Sequence, residues 1–168
     1  MKINRLLPLV GAIVISSMIA VPVLKAEDKP ADAAAVAKPD FGDFSSQTLA
    51  KKSWAALEAK KYDDLKAYVG KCRELYEAKA VEMQKSLKEP AASGKEHDFW
   101  ALNDVGTCSF ILAKALDGQG KKAEAIAAYK EVAEKFAFAQ CWDPQGWFWK
   151  PAEAAKDRIK ELEFDSAK

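Results

Sequence analysis

From Ser45 onward, apolar residues recur every three or four positions, the spacing that puts them on one face of an α-helix. Ser45 or Ser46 is suited to cap a first helix ending near Ala59, with Lys60 and Lys61 as a short turn. Asp63 and Asp64 favour the start of a second helix. In it Leu65, Tyr68, Val69, Cys72, Leu75, Tyr76, Ala80, Met83 and Leu87 form one stripe over about 23 residues. The segment KEPAASGKEH breaks the pattern, because Pro90 and Gly94 do not continue a helix. A third helix is expected from about Asp98, with Phe99, Leu102, Val105, Ser109, Leu112, Ala113 and Leu116 on one face, widened by Phe110 and Ile111. It should stop at Asp117-Gly118-Gln119-Gly120, where glycine supplies a left-handed cap. Ala123, Ile126, Ala127, Tyr129, Lys130, Ala133 and Phe136 mark a fourth helix. Pro151 opens a fifth, with Ala152, Ala155, Ile159 and Leu162 along one side. No segment alternates with period two for long enough to predict a strand. The expected fold class is all-α, with about five helices and short connections.

The first 44 residues follow a different pattern. Lys2 and Arg5 precede an apolar run from Leu6 to Leu24, and small Ala26 follows. This is the layout of a signal peptide over 1–26. The run also approaches the length that spans a bilayer, so an uncleaved N-terminal anchor is the alternative. Either one predicts an exported body, periplasmic or secreted, or held at the inner membrane by the N-terminal segment alone. Residues 27–44 (EDKPADAAAVAKPDFGDF) show no apolar period and read as a flexible linker. Residues 45–168 are then one helical domain.

Charge narrows the partners. Removing 1–26 takes away Lys2, Arg5 and Lys25 and no acid, which leaves 23 basic side chains against 25 acidic ones. A nucleic-acid partner is not expected from such a balance. Cys72, Cys108 and Cys141 all lie in the exported part, where an odd number leaves one thiol over and three pairings are open. Their wide spacing, and a single histidine at position 97, predict no metal site.

The stretch GQGKKAEAIAAYKEV, with Leu112, Ala113, Leu116, Gly120, Ala125, Tyr129 and Val132 in a unit starting at Gly106, resembles a tetratricopeptide repeat. Ser109 and Ala137 depart from the tryptophan and terminal proline usual in that repeat. A weaker copy starts near Ser46, with Leu49, Ser53, Ala56, Tyr62, Leu65, Val69 and Cys72 in the matching places. The resemblance implies two degenerate helical hairpins in a short α-solenoid, and a non-enzymatic protein that binds proteins or peptides in the cell envelope. The tail from Phe136 to Lys156 resembles the end of exported bacterial repeat proteins, some joined to glycan-degrading modules, which keeps a glycan partner in view.

The remaining candidate chemistry is CWDPQGWFWKP, residues 141–151. Asp143-Pro144-Gln145-Gly146 has the composition of a type I turn, folding Trp142 back towards Trp147, Phe148 and Trp149. The favoured reading is an aromatic-rich C-terminal cap on the open end of the core, with Phe148 or Trp147 left partly exposed. The alternative is a carbohydrate-binding accessory module that stacks a sugar on Trp142, Trp147 and Trp149. Phe99 and Trp100 are expected to pack against this loop, and the same geometry favours a Cys108–Cys141 disulfide, with Cys72 a small buried hydrophobe. His97 reads as a solvated cap residue, and Asp63, Asp64, Glu74 and Glu77 as a solvated face rather than a catalytic carboxylate pair. Neither a catalytic residue nor a cofactor is predicted.

Overall fold

The structure, a computed structural model, describes residues 38–166. The expected leader, 1–26, and the first part of the linker lie outside the described residues. The element order is α1 (Ser46–Glu58), α2 (Tyr62–Ser86), a 3-10 turn (Glu96–Phe99), α3 (Trp100–Gly118), α4 (Lys122–Lys135), β1 (Cys141–Asp143), β2 (Trp147–Trp149) and α5 (Pro151–Ser166). The chain is mostly helical. The two short strands correct the expectation of no strand: three residues a side is too few for a period-two pattern to register.

Ser45 caps α1 by accepting a hydrogen bond at its hydroxyl from the Thr48 N–H, 3.2 Å away. The α1–α2 and α3–α4 turns close in the same way. At the first, Lys61 N–H donates to Ala56 C=O and Lys60 N–H to Leu57 C=O; at the second, Lys121 N–H donates to Leu116 C=O and Gly120 N–H to Asp117 C=O. Both are Schellman motifs, which require a left-handed residue after the helix. Gly120 takes that place at φ +72°, and Lys60 takes it at φ +55°, sixty residues earlier.

The hairpins pack through α2 against α3, with α1 also touching α3 and α5 lying on α4. One apolar cluster fills the space between α1, α2 and α3, with Leu49, Leu65, Val69, Cys72, Leu102 and Val105 at its centre. A second gathers Phe110, Ala113, Tyr129 and Val132 with Ala155, Ile159 and Leu162 of α5. Helix α3 serves both clusters and is buried almost all round. The apolar side expected for α5 is the buried one. Two other stripes need correction. Leu75 of α2 is 46 % exposed. In α4 the inward face is Ala125, Tyr129, Val132 and Ala133, while Ala123, Ala127 and Lys130 face solvent.

Residues 38–44, expected to belong to the linker, pack on α2. The Phe41 ring meets Tyr68 edge-on at 5.8 Å, and the Tyr76 hydroxyl donates to Phe44 C=O at 2.9 Å. Glu77 also departs from expectation. Instead of facing solvent it is partly buried in an ion-pair network with Arg73, Lys135 and Glu131 that ties α2 to α4. The Arg73 guanidinium is the main cause holding the Glu77 carboxyl below its usual range. Arg158 forks onto Asp117 at 2.6 and 3.0 Å and fixes α5 to the end of α3.

Candidate functional site

A cleft of about 910 Å³ opens between α1, α3 and the β1–β2 hairpin. Its floor and walls follow from helical spacing. On α1, Ser46, Gln47, Ala50, Lys51 and Trp54 fall on one face; on α3, Trp100, Asn103, Asp104 and Thr107 do the same. The third wall is the hairpin, which contributes Trp142, Pro144, Phe148 and Trp149.

The hairpin has the turn its composition implied. Gly146 N–H donates to Asp143 C=O at 2.9 Å, and Gln145 N–H donates to the Asp143 carboxylate at 2.8 Å. The strands are antiparallel, pairing Cys141 with Trp149, Trp142 with Phe148 and Asp143 with Trp147. A three-residue loop of this register ends in a left-handed residue. Gly146 provides it at φ +104°.

Because strand side chains alternate, Trp142 and Phe148 share one hairpin face, while Trp147 and Trp149 belong to the other. The rings therefore divide their roles. Trp149 packs edge-on against Phe110 at 5.1 Å and joins the second cluster. Phe148 is sandwiched between Trp142, 5.1 Å away, and His97, 5.3 Å away. Trp142 is 55 % exposed in the cleft; Trp147 is 50 % exposed but does not line it. The three tryptophans do not form one platform. Trp147 was one of the two rings expected to stay exposed, and Trp142 is exposed as well.

The expected packing of Phe99 and Trp100 on the 141–149 loop is replaced by another arrangement. Phe99 packs on the first cluster, and Trp100 meets Tyr76 edge-on at 5.6 Å while lining the cleft at 44 % exposure. It is His97, expected to be a bare cap residue, that meets the hairpin. The preferred Cys108–Cys141 bond is also absent, since all three cysteines are free and buried. Successive helical residues point about 100° apart. Thr107 therefore faces the hairpin and touches the Cys141 sulfur, and Cys108 turns towards α2. Burial pushes the Cys141 thiol up to about 12, against the opposing Thr107 contact.

Two polar side chains of α3 hold the site together. Asn103 donates to Glu96 C=O at 2.7 Å and accepts from Gln140 N–H at 2.8 Å, so one amide braces both the 3-10 turn and the approach to the hairpin. Asp104 sits one helical turn from Trp100 and accepts a hydrogen bond from the Ser46 hydroxyl at 2.5 Å. Burial raises its carboxyl above the ordinary aspartate range, and the Ser46 bond only partly opposes this. No cation pairs with it among the described residues. Asn103 and Asp104 were not picked out from the sequence, and Ser46 only as a possible helix cap. The available signal was an Asn-Asp pair inside the most apolar helix among the described residues, where polar groups need a reason.

Among the described residues no group of three His, Cys, Asp or Glu side chains is placed to hold a metal ion, and no helix is long and apolar enough to cross a membrane. Comparison with family models, curated proteins and solved structures returns no match to this chain.

Proposed function

We propose that this chain is a non-catalytic, exported binding protein of the cell envelope, and that its cleft receives a segment of another protein through a lysine or arginine side chain. The observation that carries this reading is the company Asp104 keeps. A desolvated carboxylate with one hydroxyl partner lies in an open cleft rimmed by Trp100 and Trp142, both about half exposed. A partly buried acid without a cation carries a desolvation cost that nothing nearby offsets but one hydroxyl. A guanidinium or ammonium entering the cleft supplies the missing charge, and aromatic faces attract the same cation. The tetratricopeptide resemblance and the shared turn geometry of the two hairpins support a repeat-like peptide holder.

The test is a peptide array probed with the full chain, followed by titration of the best binder by tryptophan fluorescence. Lys- or Arg-containing peptides should be retained over matched sequences carrying norleucine. Trp100→Ala and Trp142→Ala should each weaken binding tenfold or more, the loss expected of aromatic anchors. Trp147→Ala should leave it unchanged. A parallel glycan array addresses the alternative. Sugar binding that depends on Trp147 or Trp142, with no peptide retained, would sink the peptide reading.

A further inference from the structure

Cys72 and Cys108 meet across the interface of α2 and α3, at the centre of the first cluster. Both side chains are fully buried, and Ser53 of α1 closes the third side of the same junction. The contact follows from the two helical stripes. Cys72 shares the inward face of α2 with Leu65 and Val69, and Cys108 lies one turn from Val105 on α3. Cys141 stands apart, held between Thr107 and the Asn103 carbonyl at the base of the hairpin. The structure thus divides three cysteines into one facing pair and one single thiol.

We propose that Cys72 and Cys108 are joined by a disulfide in the exported protein, clamping the two helical hairpins together, and that Cys141 remains a thiol. The oxidant is a dithiol–disulfide exchange protein in its disulfide form. The thiolate of one cysteine attacks a sulfur of that disulfide, and a mixed disulfide forms as the oxidant's other sulfur leaves as thiolate. The second cysteine then attacks the mixed disulfide and displaces the exchange protein. The chain loses two protons and two electrons, and the oxidant becomes a dithiol.

Timing follows from the same geometry. The contact with Cys72, and then burial, hold the Cys108 thiol well above its ordinary range. The folded, reduced chain therefore presents almost no Cys108 thiolate, and an exchange protein has no access to a pair whose side chains are fully buried. The bond must form while the hairpins are still docking, before α2 closes over α3. Bringing the sulfurs to the ~2.0 Å of a bond then locks in a contact that packing already favours. The closed loop contains both the α2–α3 connection at 87–99 and most of α2, so it joins segments far apart in the chain and constrains the unfolded state strongly.

The pairing needs an oxidising compartment, so it rests on the export reading of residues 1–26. It does not depend on what the cleft binds. The full chain, with its own N-terminal segment, is expressed in a bacterial host and the culture fractionated. Thiols are blocked with iodoacetamide in denaturant without reductant, and the digest is mapped by mass spectrometry. Expected are a Cys72–Cys108 linked peptide, one blocked thiol per chain at Cys141, and protein in the envelope or medium. Reductant should then lower the Tm by roughly 10 °C or more, as expected for a cross-link closing a long loop. A Cys108→Ala chain should have that lower Tm with or without reductant. Three blocked thiols, a link involving Cys141, or a link between two chains would each overturn the proposal, and a chain retained in the cytosol with three thiols does so as well.

Discussion

Gly106 lies in the interior of α3, where a glycine ordinarily costs about 1 kcal/mol of helix stability relative to alanine. By propensity alone Gly106→Ala should stabilise. The surroundings reverse the sign. A Cβ at this position would lie 2.7 Å from the Ala139 Cβ and 3.4 Å from the Phe136 Cβ. Carbon atoms settle at roughly 3.5–4.0 Å, so the first contact is too close by about 1 Å. Neither neighbour can rotate out of the way, because each atom is fixed to its backbone and both residues are fully buried. Segment 136–140 must therefore move off the helix. That displacement strains the Gln140 N–H bond to Asn103, worth about 1 kcal/mol, in addition to overpacking costs of about 1–3 kcal/mol. After subtracting the propensity gain, we expect a net loss of about 1–3 kcal/mol, read from guanidinium unfolding followed by circular dichroism. Gly70→Ala in α2 is the control: its Cβ meets nothing within 4 Å, and it should gain about 0.5–1 kcal/mol. If both variants stabilise equally, the seating of segment 136–140 on α3 is wrong, and the position of the hairpin wall is wrong with it.

Two further outcomes can be stated. Lys60 pays the strain of a left-handed non-glycine residue at a helix end, so Lys60→Gly should raise the thermal midpoint, by about 0.5–1 kcal/mol of stability; an unchanged or lower midpoint would refute the Schellman closure at that turn. Asp104 has a folded-state carboxyl above its unfolded value, so the fold holds its proton more tightly than the open chain does. Its contribution is most favourable below the unfolded value and is lost as pH rises through the folded one. Asp104→Asn, which can still accept from Ser46, should therefore be as stable as the parent in acid and up to about 1 kcal/mol more stable at pH 7, while losing affinity for basic peptides; a variant less stable at pH 7 would refute the cost assigned to that carboxylate.

The helices were legible because each carries a local signal that its tertiary place agrees with. Ser45 caps α1, Gly120 ends the α3–α4 turn, Pro151 starts α5, and Ala152, Ala155, Ile159 and Leu162 are its buried face. The inward faces of α2 and α4 were less legible. Leu75 is as apolar as Leu65, and Ala127 is as small as Ala125. Which of them turns inward depends on the neighbouring helix, not on its own sequence. The turn of the hairpin was legible from Asp143-Pro144-Gln145-Gly146, but its strands were not, for another reason. Three residues a side cannot establish a period, and the cross-strand partners are fixed by the turn at Asp143–Gly146. The cleft was hidden because its key groups, Ser46, Asn103 and Asp104, are ordinary helix residues until α1 and α3 come together.

Helix α3 explains why site and core are so hard to separate in this chain. Moving along it by single residues, Asn103 and Asp104 serve the cleft, Val105 the first cluster, Gly106 the close approach of segment 136–140, Thr107 the hairpin, and Cys108 the contact with α2. The 100° step between neighbours distributes these duties around one buried cylinder. A change that shifts α3 by a fraction of an ångström is thus felt in the cleft and in both clusters together. On that geometry, the Asn103 brace and the proposed Cys72–Cys108 clamp act to one end: both fix the helix that carries Asp104, the partly buried carboxylate proposed above to meet a partner's cation.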